Sequence, residues 1–165
     1  MTTESIEEQI FANVQTTLEA IVAGDNYWYT PAIVTRCDQF TPDLLRNEYR
    51  VIYLIRDTSE LVLVPASRDF GNDARELTIF ILAAYRDERA DQNAHTMKTP
   101  TRGTIRHRLI RDITRALYQD GTRGALAIDT EVLDPTKDFQ DIGSMPWILA
   151  EVPVAILYRH GYDTP

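Results

Sequence analysis

The chain has 165 residues, with 17 basic and 25 acidic side chains (net charge −8) and 44% hydrophobic content. That length and balance predict one globular domain, 1–165, able to bury its own core. They exclude a disulfide scaffold, since Cys37 is the single cysteine, and no run approaches the roughly 18 apolar residues of a membrane span.

The first residues are acidic (Glu4, Glu7, Glu8) and place no basic stretch before an apolar run, so no signal peptide is predicted. Ile6, Ile10, Val14, Leu18 and Ile21 recur at helical spacing, widened by Phe11 and Val22, and predict a helix over 3–23. Ser5 with Glu8 has the form of a capping box, and Gly24 of a C-terminal stop. A turn carrying Tyr27, Trp28 and Tyr29 leads to a short strand at 32–37. Residues 50–56 predict a second strand, and 61–64 its continuation or a short strand of its own. Residues 67–74 read as a polar turn. The strongest strand is 76–86, with Leu77, Ile79, Ile81, Ala83 and Tyr85 on one face and Phe80, Leu82 and Ala84 on the other. A strand apolar on both faces is central in its sheet, or has one face covered by a partner.

Residues 87–103 form a long polar loop. A second helix is predicted over 104–119, where Ile105, Leu109, Ile113 and Leu117 sit four apart and Arg106, Arg108, Arg111 and Arg115 mark the other face. It lies in the one basic part of the chain: residues 96–124 carry seven bases and two acids, while 1–48 and 125–165 are net −6 and −5. Asp120-Gly121 ends it. Strands follow at 125–133 and 147–158, separated by a polar loop over 134–146. Pro153 marks a bulge or an edge position in the last strand. The order α-β-β-β-α-β-β predicts an α+β fold, a mostly antiparallel sheet with two amphipathic helices on one face.

Motifs that carry chemistry are sparse. His95, His107 and His160 lack metal-ligand spacing, and no phosphate-binding glycine loop or nucleophile elbow occurs. Cys37, alone in a strand, reads as a small hydrophobe. Asp129 and Glu131 share one face of a strand, as a carboxylate pair or a solvated surface. Tyr27–Tyr29 is a helix anchor or a ligand-stacking cluster. The arginine face of the second helix has three readings: a solvated face, a contact with an acidic partner subunit, or a nucleic-acid contact. Fifteen of the 17 bases are arginine, which suits bidentate pairing across an interface.

The Tyr-Trp-Tyr-Thr-Pro-Ala-Ile-Val-Thr-Arg segment after the first helix, the apolar strand at 76–86, the Ile/Leu/Arg helix and the ending Val154-Ala-Ile-Leu-Tyr-Arg-His-Gly-Tyr-Asp-Thr-Pro165 occur together along nearly the whole chain. In this layout the chain resembles the tail terminator proteins of long-tailed bacteriophages, also called tail completion or tail-to-head joining proteins. The resemblance implies a structural virion protein of the tail and neck, assembled in the host cytoplasm. It implies a homo-oligomeric ring, usually a hexamer, that ends tail tube polymerisation and meets the neck or head–tail connector protein. It implies no catalytic residues, cofactor, metal or membrane. An acidic lumen would let DNA pass without specific binding. The arginine face, Arg106, Arg108, Arg111 and Arg115, is then the candidate subunit interface. The two polar loops, with Asp87, Arg89, His95, Lys98, Asp134, Lys137, Asp138 and Asp141, are candidate docking elements for tube or neck. The alternatives are another head-completion or tube-like component, a small acidic ligand-binding domain or enzyme using Asp129, Glu131 and Tyr27–Tyr29, and a nucleic-acid module using residues 102–115.

Overall fold

The computed structural model describes residues 5–24, 26–41, 45, 50–56, 60–61, 73–86, 101–135 and 147–160. The polar-loop residues Asp87, Arg89, His95, Lys98, Lys137, Asp138 and Asp141 lie outside these, as do residues 62–64.

The first helix, α1, spans Ile6–Glu19 and starts as its sequence dictates: the Ser5 hydroxyl accepts the Glu8 amide at 3.2 Å. It ends earlier than 3–23. The cap is Ala20, and Gly24 is not the stop. Beyond it the backbone finds other partners. The Ala23 amide donates to the Thr30 hydroxyl at 2.7 Å, and the Gly24 amide to the Tyr27 carbonyl at 2.9 Å. A side-chain acceptor here competes with the helical ladder. Ile21 still reaches the core, from a turn rather than from the helix.

Six strands follow the predicted order: β1 (Ile33–Cys37), β2 (Arg50–Arg56), β3 (Glu60–Leu61), β4 (Asp73–Arg86), then, after helix α2 (Arg102–Tyr118), β5 (Ala127–Val132) and β6 (Trp147–His160). The sheet order is β1-β2-β4-β6-β5, with β3 paired to β4. Among the described strands only the β1–β2 pair is parallel, so the sheet is mostly antiparallel and the fold is α+β. The central pair is β4 with β6, in register from Asp73 opposite His160 to Arg86 opposite Trp147. Strand β4 therefore begins three residues before 76, in a stretch read as a turn.

Both helices lie on one face. Leu77, Ile79, Ile81 and Ala83 of β4 and Ile148, Ala150, Val152, Val154, Ile156 and Tyr158 of β6 meet Ile10, Val14 and Leu18 of α1 and Ile105, Leu109, Ile113 and Leu117 of α2. The alternate residues of the same strands build a smaller second core. Val51, Tyr53, Leu82, Ala84 and Leu149 pack with Leu45, and Phe40 meets Tyr53 edge-on at 5.7 Å. Phe40 and Leu45 thus pack against the second apolar face of the sheet. Cys37 packs against this cluster, and burial, with Asp38 beside it, raises its thiol pKa.

Pro153 lies in an interior strand, yet at a local edge. Strand β5 ends at Val132 opposite Val154, and the last bond beyond it runs from the Leu133 amide to the Pro153 carbonyl at 2.9 Å. The N and C=O of one strand residue point to the same side. The missing N–H of Pro153 therefore faces the side that β5 has just vacated. From there to Trp147, carbonyls of β6 on that side need other donors. Arg106 Nε donates to the Leu149 carbonyl at 2.8 Å, and the Arg102 guanidinium to the Trp147 carbonyl. The irregularity in the β5–β6 ladder is a bulge between Ala127 and Asp129, not at Pro153.

Between α2 and β5 the chain turns through three consecutive left-handed residues, Arg123 (φ 51°), Gly124 (68°) and Ala125 (68°). Two of them carry a Cβ and are strained there. Asp120 holds the turn: its carboxylate accepts the Thr122 hydroxyl at 2.9 Å and amide at 3.1 Å, and the Gly124 amide at 2.6 Å. Arg123 is fully buried, donating to the Thr130 hydroxyl at 3.1 Å and to the Leu117 carbonyl at the helix end. Burial lowers its pKa, against the pull of Asp120.

The Thr122 hydroxyl holds the Asp120 carboxyl below the usual carboxylate range; burial opposes it, and the Gly124 and Thr122 amides and the nearby Arg123 add to the lowering. A depressed folded pKa stabilises fully above the unfolded value of about 4, and that contribution is lost as pH falls through the folded value. Asp120→Asn is expected to be less stable than wild type at pH 7, with the gap closing below pH 4. Urea midpoints measured across this range check it; a gap that stays constant contradicts it.

Candidate functional site

The inner face of α2 is apolar except at Asp112, which is fully buried within it. Its Oδ2 accepts the Trp28 amide at 2.6 Å and the Tyr29 amide at 3.1 Å. Arg111 reaches its Oδ1 at 3.3 Å. A buried carboxylate needs such donors to be tolerated, and here they are the backbone of the segment joining α1 to β1. That segment is thereby fixed against the helix. Tyr29 is buried in the main core, where desolvation raises its phenol pKa well above normal. Trp28 packs on Tyr85 with ring centres 5.5 Å apart. The three aromatics thus anchor the segment, while Tyr27 and Trp28 also line a surface.

That surface is a cleft of about 360 Å³ bounded by Gly24, Asn26, Tyr27, Trp28, Arg108, Arg111 and Arg115. The three arginines, spaced three and four apart, share one helical face. Their directions are set from below. The Arg108 guanidinium lies 5.3 Å from the Trp28 ring centre and that of Arg115 5.9 Å from Tyr27. Arg115 also donates to the Asn26 side-chain carbonyl at 2.8 Å and its backbone carbonyl at 3.2 Å. Gln119 donates to the Tyr27 hydroxyl at 2.8 Å. Three cations ring one open space, with one carboxylate, Asp112, beneath them and already engaged by two amides. The arrangement suits anionic groups, above all planar carboxylates taken bidentately.

Arg106 stands apart from this face, two residues before Arg108 and turned to the β6 carbonyls. His107 is exposed on α2, and Asp134 is exposed just past β5. Asp129 and Glu131 are exposed on β5, while Thr130 between them is buried toward the helices. The two acids therefore lie on the sheet face opposite the arginine cleft.

A second groove, about 230 Å³, is bounded by Glu8, Phe11, Arg36, Cys37, Asp38, Leu54 and Arg56. Its charges satisfy one another: Arg36 pairs with Glu8 at 2.9 Å, and Arg56 with Glu8 at 3.4 Å and with Glu7. Glu7 also accepts the Tyr158 hydroxyl. This network ties α1 to β1, β2 and β6 rather than presenting a free charge. Among the described residues, no group of three His, Cys, Asp or Glu side chains is placed to hold a metal ion, and no helix is long and apolar enough to cross a membrane.

No protein-family model matches the chain, and no curated protein matches it. Among solved structures it is similar to the sheath/tube terminator of an extracellular contractile injection system (PVC), determined by cryo-electron microscopy in the extended state. The two are 15% identical with a TM-score of 0.47; the match covers 99% of this chain and 60% of that one. This chain thus spans about three fifths of the length of that terminator.

The signal for the arginine cleft was present in the sequence as the spacing of Arg108, Arg111 and Arg115. The signal for its floor was an acid, Asp112, inside the Ile/Leu stripe. Asp112→Ala removes the acceptor of two amides, which costs about 3 kcal/mol at the magnitude of hydrogen bonds to charged groups. Asp112→Asn keeps one acceptor oxygen and is expected to lose less. Urea unfolding followed by Trp fluorescence measures both; equal stability of Asp112→Ala and wild type contradicts the assignment.

Proposed function

We propose that the protein is a tail terminator: a structural subunit that oligomerises into a ring at the end of a tail tube, stops tube growth and offers a surface to the next component. What supports this reading is that the segments carrying the resemblance pack into one layered unit. The apolar strand 76–86 lies inside β4, the closing strand is β6, and these two pair along fourteen residues while α2 crosses them. The Tyr-Trp-Tyr segment is locked to that helix by Asp112. A unit so cross-tied suits a protein that bears load between neighbours. The arginine cleft and the exposed acids of β5 suit contacts between protein surfaces.

In this reading the ring is a hexamer, its partners are its own copies, the tail tube protein and the neck or head–tail connector, and DNA passes through the lumen. The protein acts in the virion and carries out no reaction.

The deciding experiment mixes the purified protein with the tail tube protein from the same source and follows tube length by electron microscopy. Rings on tube ends with arrested growth are expected. Tubes that lengthen as they do alone, with bare ends, would overturn the reading.

A further inference from the structure

The arginine cleft and the acids of β5 form two surfaces of opposite charge on opposite sides of one subunit. Arg108, Arg111 and Arg115 lie off the buried stripe of α2 and line the cleft beside Tyr27 and Trp28, on the helix-covered side of the sheet. Asp129 and Glu131 point from the other side of the sheet, opposite the buried Thr130. No single chain can bring them together. Two copies can, and a contact that joins two different surfaces is heterologous, propagating to a ring or a filament.

We infer that the Asp129–Glu131 ridge of one copy seats in the Arg108–Arg111–Arg115 cleft of the next. The spacings agree. Carboxylates two residues apart on one face of a strand are about 6.7 Å apart. Arginines four apart on a helix have Cβ atoms roughly 6 Å apart and flexible stems. Each acid can therefore meet one guanidinium, with the third arginine alongside. Each surface also carries an exposed apolar residue at its margin: Tyr118, one turn beyond Arg115 and 56% exposed, and Ile128, in the β5 bulge and 44% exposed. Their burial supplies the apolar contact that screened rim charges lack. Among the described strands the ridge lies on the last in the sheet order, and both of its acids are exposed. The exposed acids of β5 give the cleft a carboxylate partner on a second copy of the same chain. The inference deepens the ring reading above and rests on it for its biological setting, but it is tested by self-association alone.

The test uses two charge-reversed variants of the full chain, R111E/R115E and D129R/E131R, each checked for folding by circular dichroism and urea unfolding. Sedimentation equilibrium reads the association constant at low and high salt. Wild type is expected to self-associate, more strongly at low salt, and each variant alone to lose at least tenfold. An equimolar mixture of the two is expected to recover association, since each reversed cleft then meets a reversed ridge. If R111E/R115E does not fold, loss of association in D129R/E131R with its fold intact carries the test. Wild type that stays monomeric to its solubility limit, variants that associate like wild type, or a folded pair that fails to recover in mixture would each overturn the pairing. So would salt-sensitive retention of DNA by wild type that R111E/R115E abolishes, which assigns the cleft to phosphates. Tube capping that survives in both variants separates this failure from that of the terminator reading. Recovered pairing without any capping is the converse case, sparing the pairing and overturning the terminator.

Discussion

Asp112 is a carboxylate with no exposed surface in the middle of the apolar stripe of α2, and much of the molecule is arranged around it. Such a group is costly unless donors surround it. The donors are the backbone amides of Trp28 and Tyr29, more than eighty residues earlier in the chain. The bond therefore does what apolar packing alone does poorly: it fixes one position of the α1–β1 connection relative to α2. With that position fixed, Tyr29 enters the core, Trp28 turns onto Tyr85, and Tyr27 and Trp28 become the wall on which Arg108 and Arg115 lie. The cleft is thus a consequence of a buried polar contact beneath it. A hydrophobic residue at 112 would bury as well and leave two amides without an acceptor.

The same economy appears at the open side of β6. A fourteen-residue strand beside a six-residue neighbour leaves, among the described residues, a row of carbonyls with no strand partner where the neighbour stops. Such rows invite edge-to-edge association. Here Pro153 withholds an N–H on that side, and Arg102 and Arg106 donate to the Trp147 and Leu149 carbonyls. The arginines of α2 are accordingly divided by helical angle. Those at 102 and 106 serve the subunit's own sheet, and those at 108, 111 and 115 face outward. Reading all the arginines of this helix as one surface, as their clustering in sequence suggests, merges two jobs.

Most of the fold was legible because most of it is apolar periodicity. The stripe Ile105-Leu109-Ile113-Leu117 asks for a helix with one buried face, and the two-faced pattern of 76–86 asks for a strand covered on both sides. The β2 boundaries, Arg50 and Arg56, are charged ends on an apolar run and were equally plain. What the pattern hid was polar and non-local. The end of α1 depends on Thr30 taking the Ala23 amide, and Ile21 and Val22 extend the apolar stripe past the true end. Residues 73 and 74 look like the end of a turn by composition but are held as strand by partners at 160 and 159. Asp112 and Arg123 are charged residues whose burial only their partners explain. In the candidate site, the three outward arginines follow from spacing, while the floor that orients them does not.

Charge distribution links these levels. The basic stretch 96–124 lies inside an acidic chain, and one helix gathers most of it. Folding spends some of that charge internally, on carbonyls and on the buried Arg123, and leaves the remainder on one side of the helix. The acidic excess lies elsewhere, including the outward acids of β5. A subunit of this kind has a direction: one side carries cations held over aromatic rings, and the far side carries carboxylates on a strand. Identical surfaces facing each other across a two-fold axis would set like charge against like. A head-to-tail approach sets each against its opposite, so the charge distribution favours a heterologous contact, whether it closes into a ring or extends as a filament, over a two-fold one.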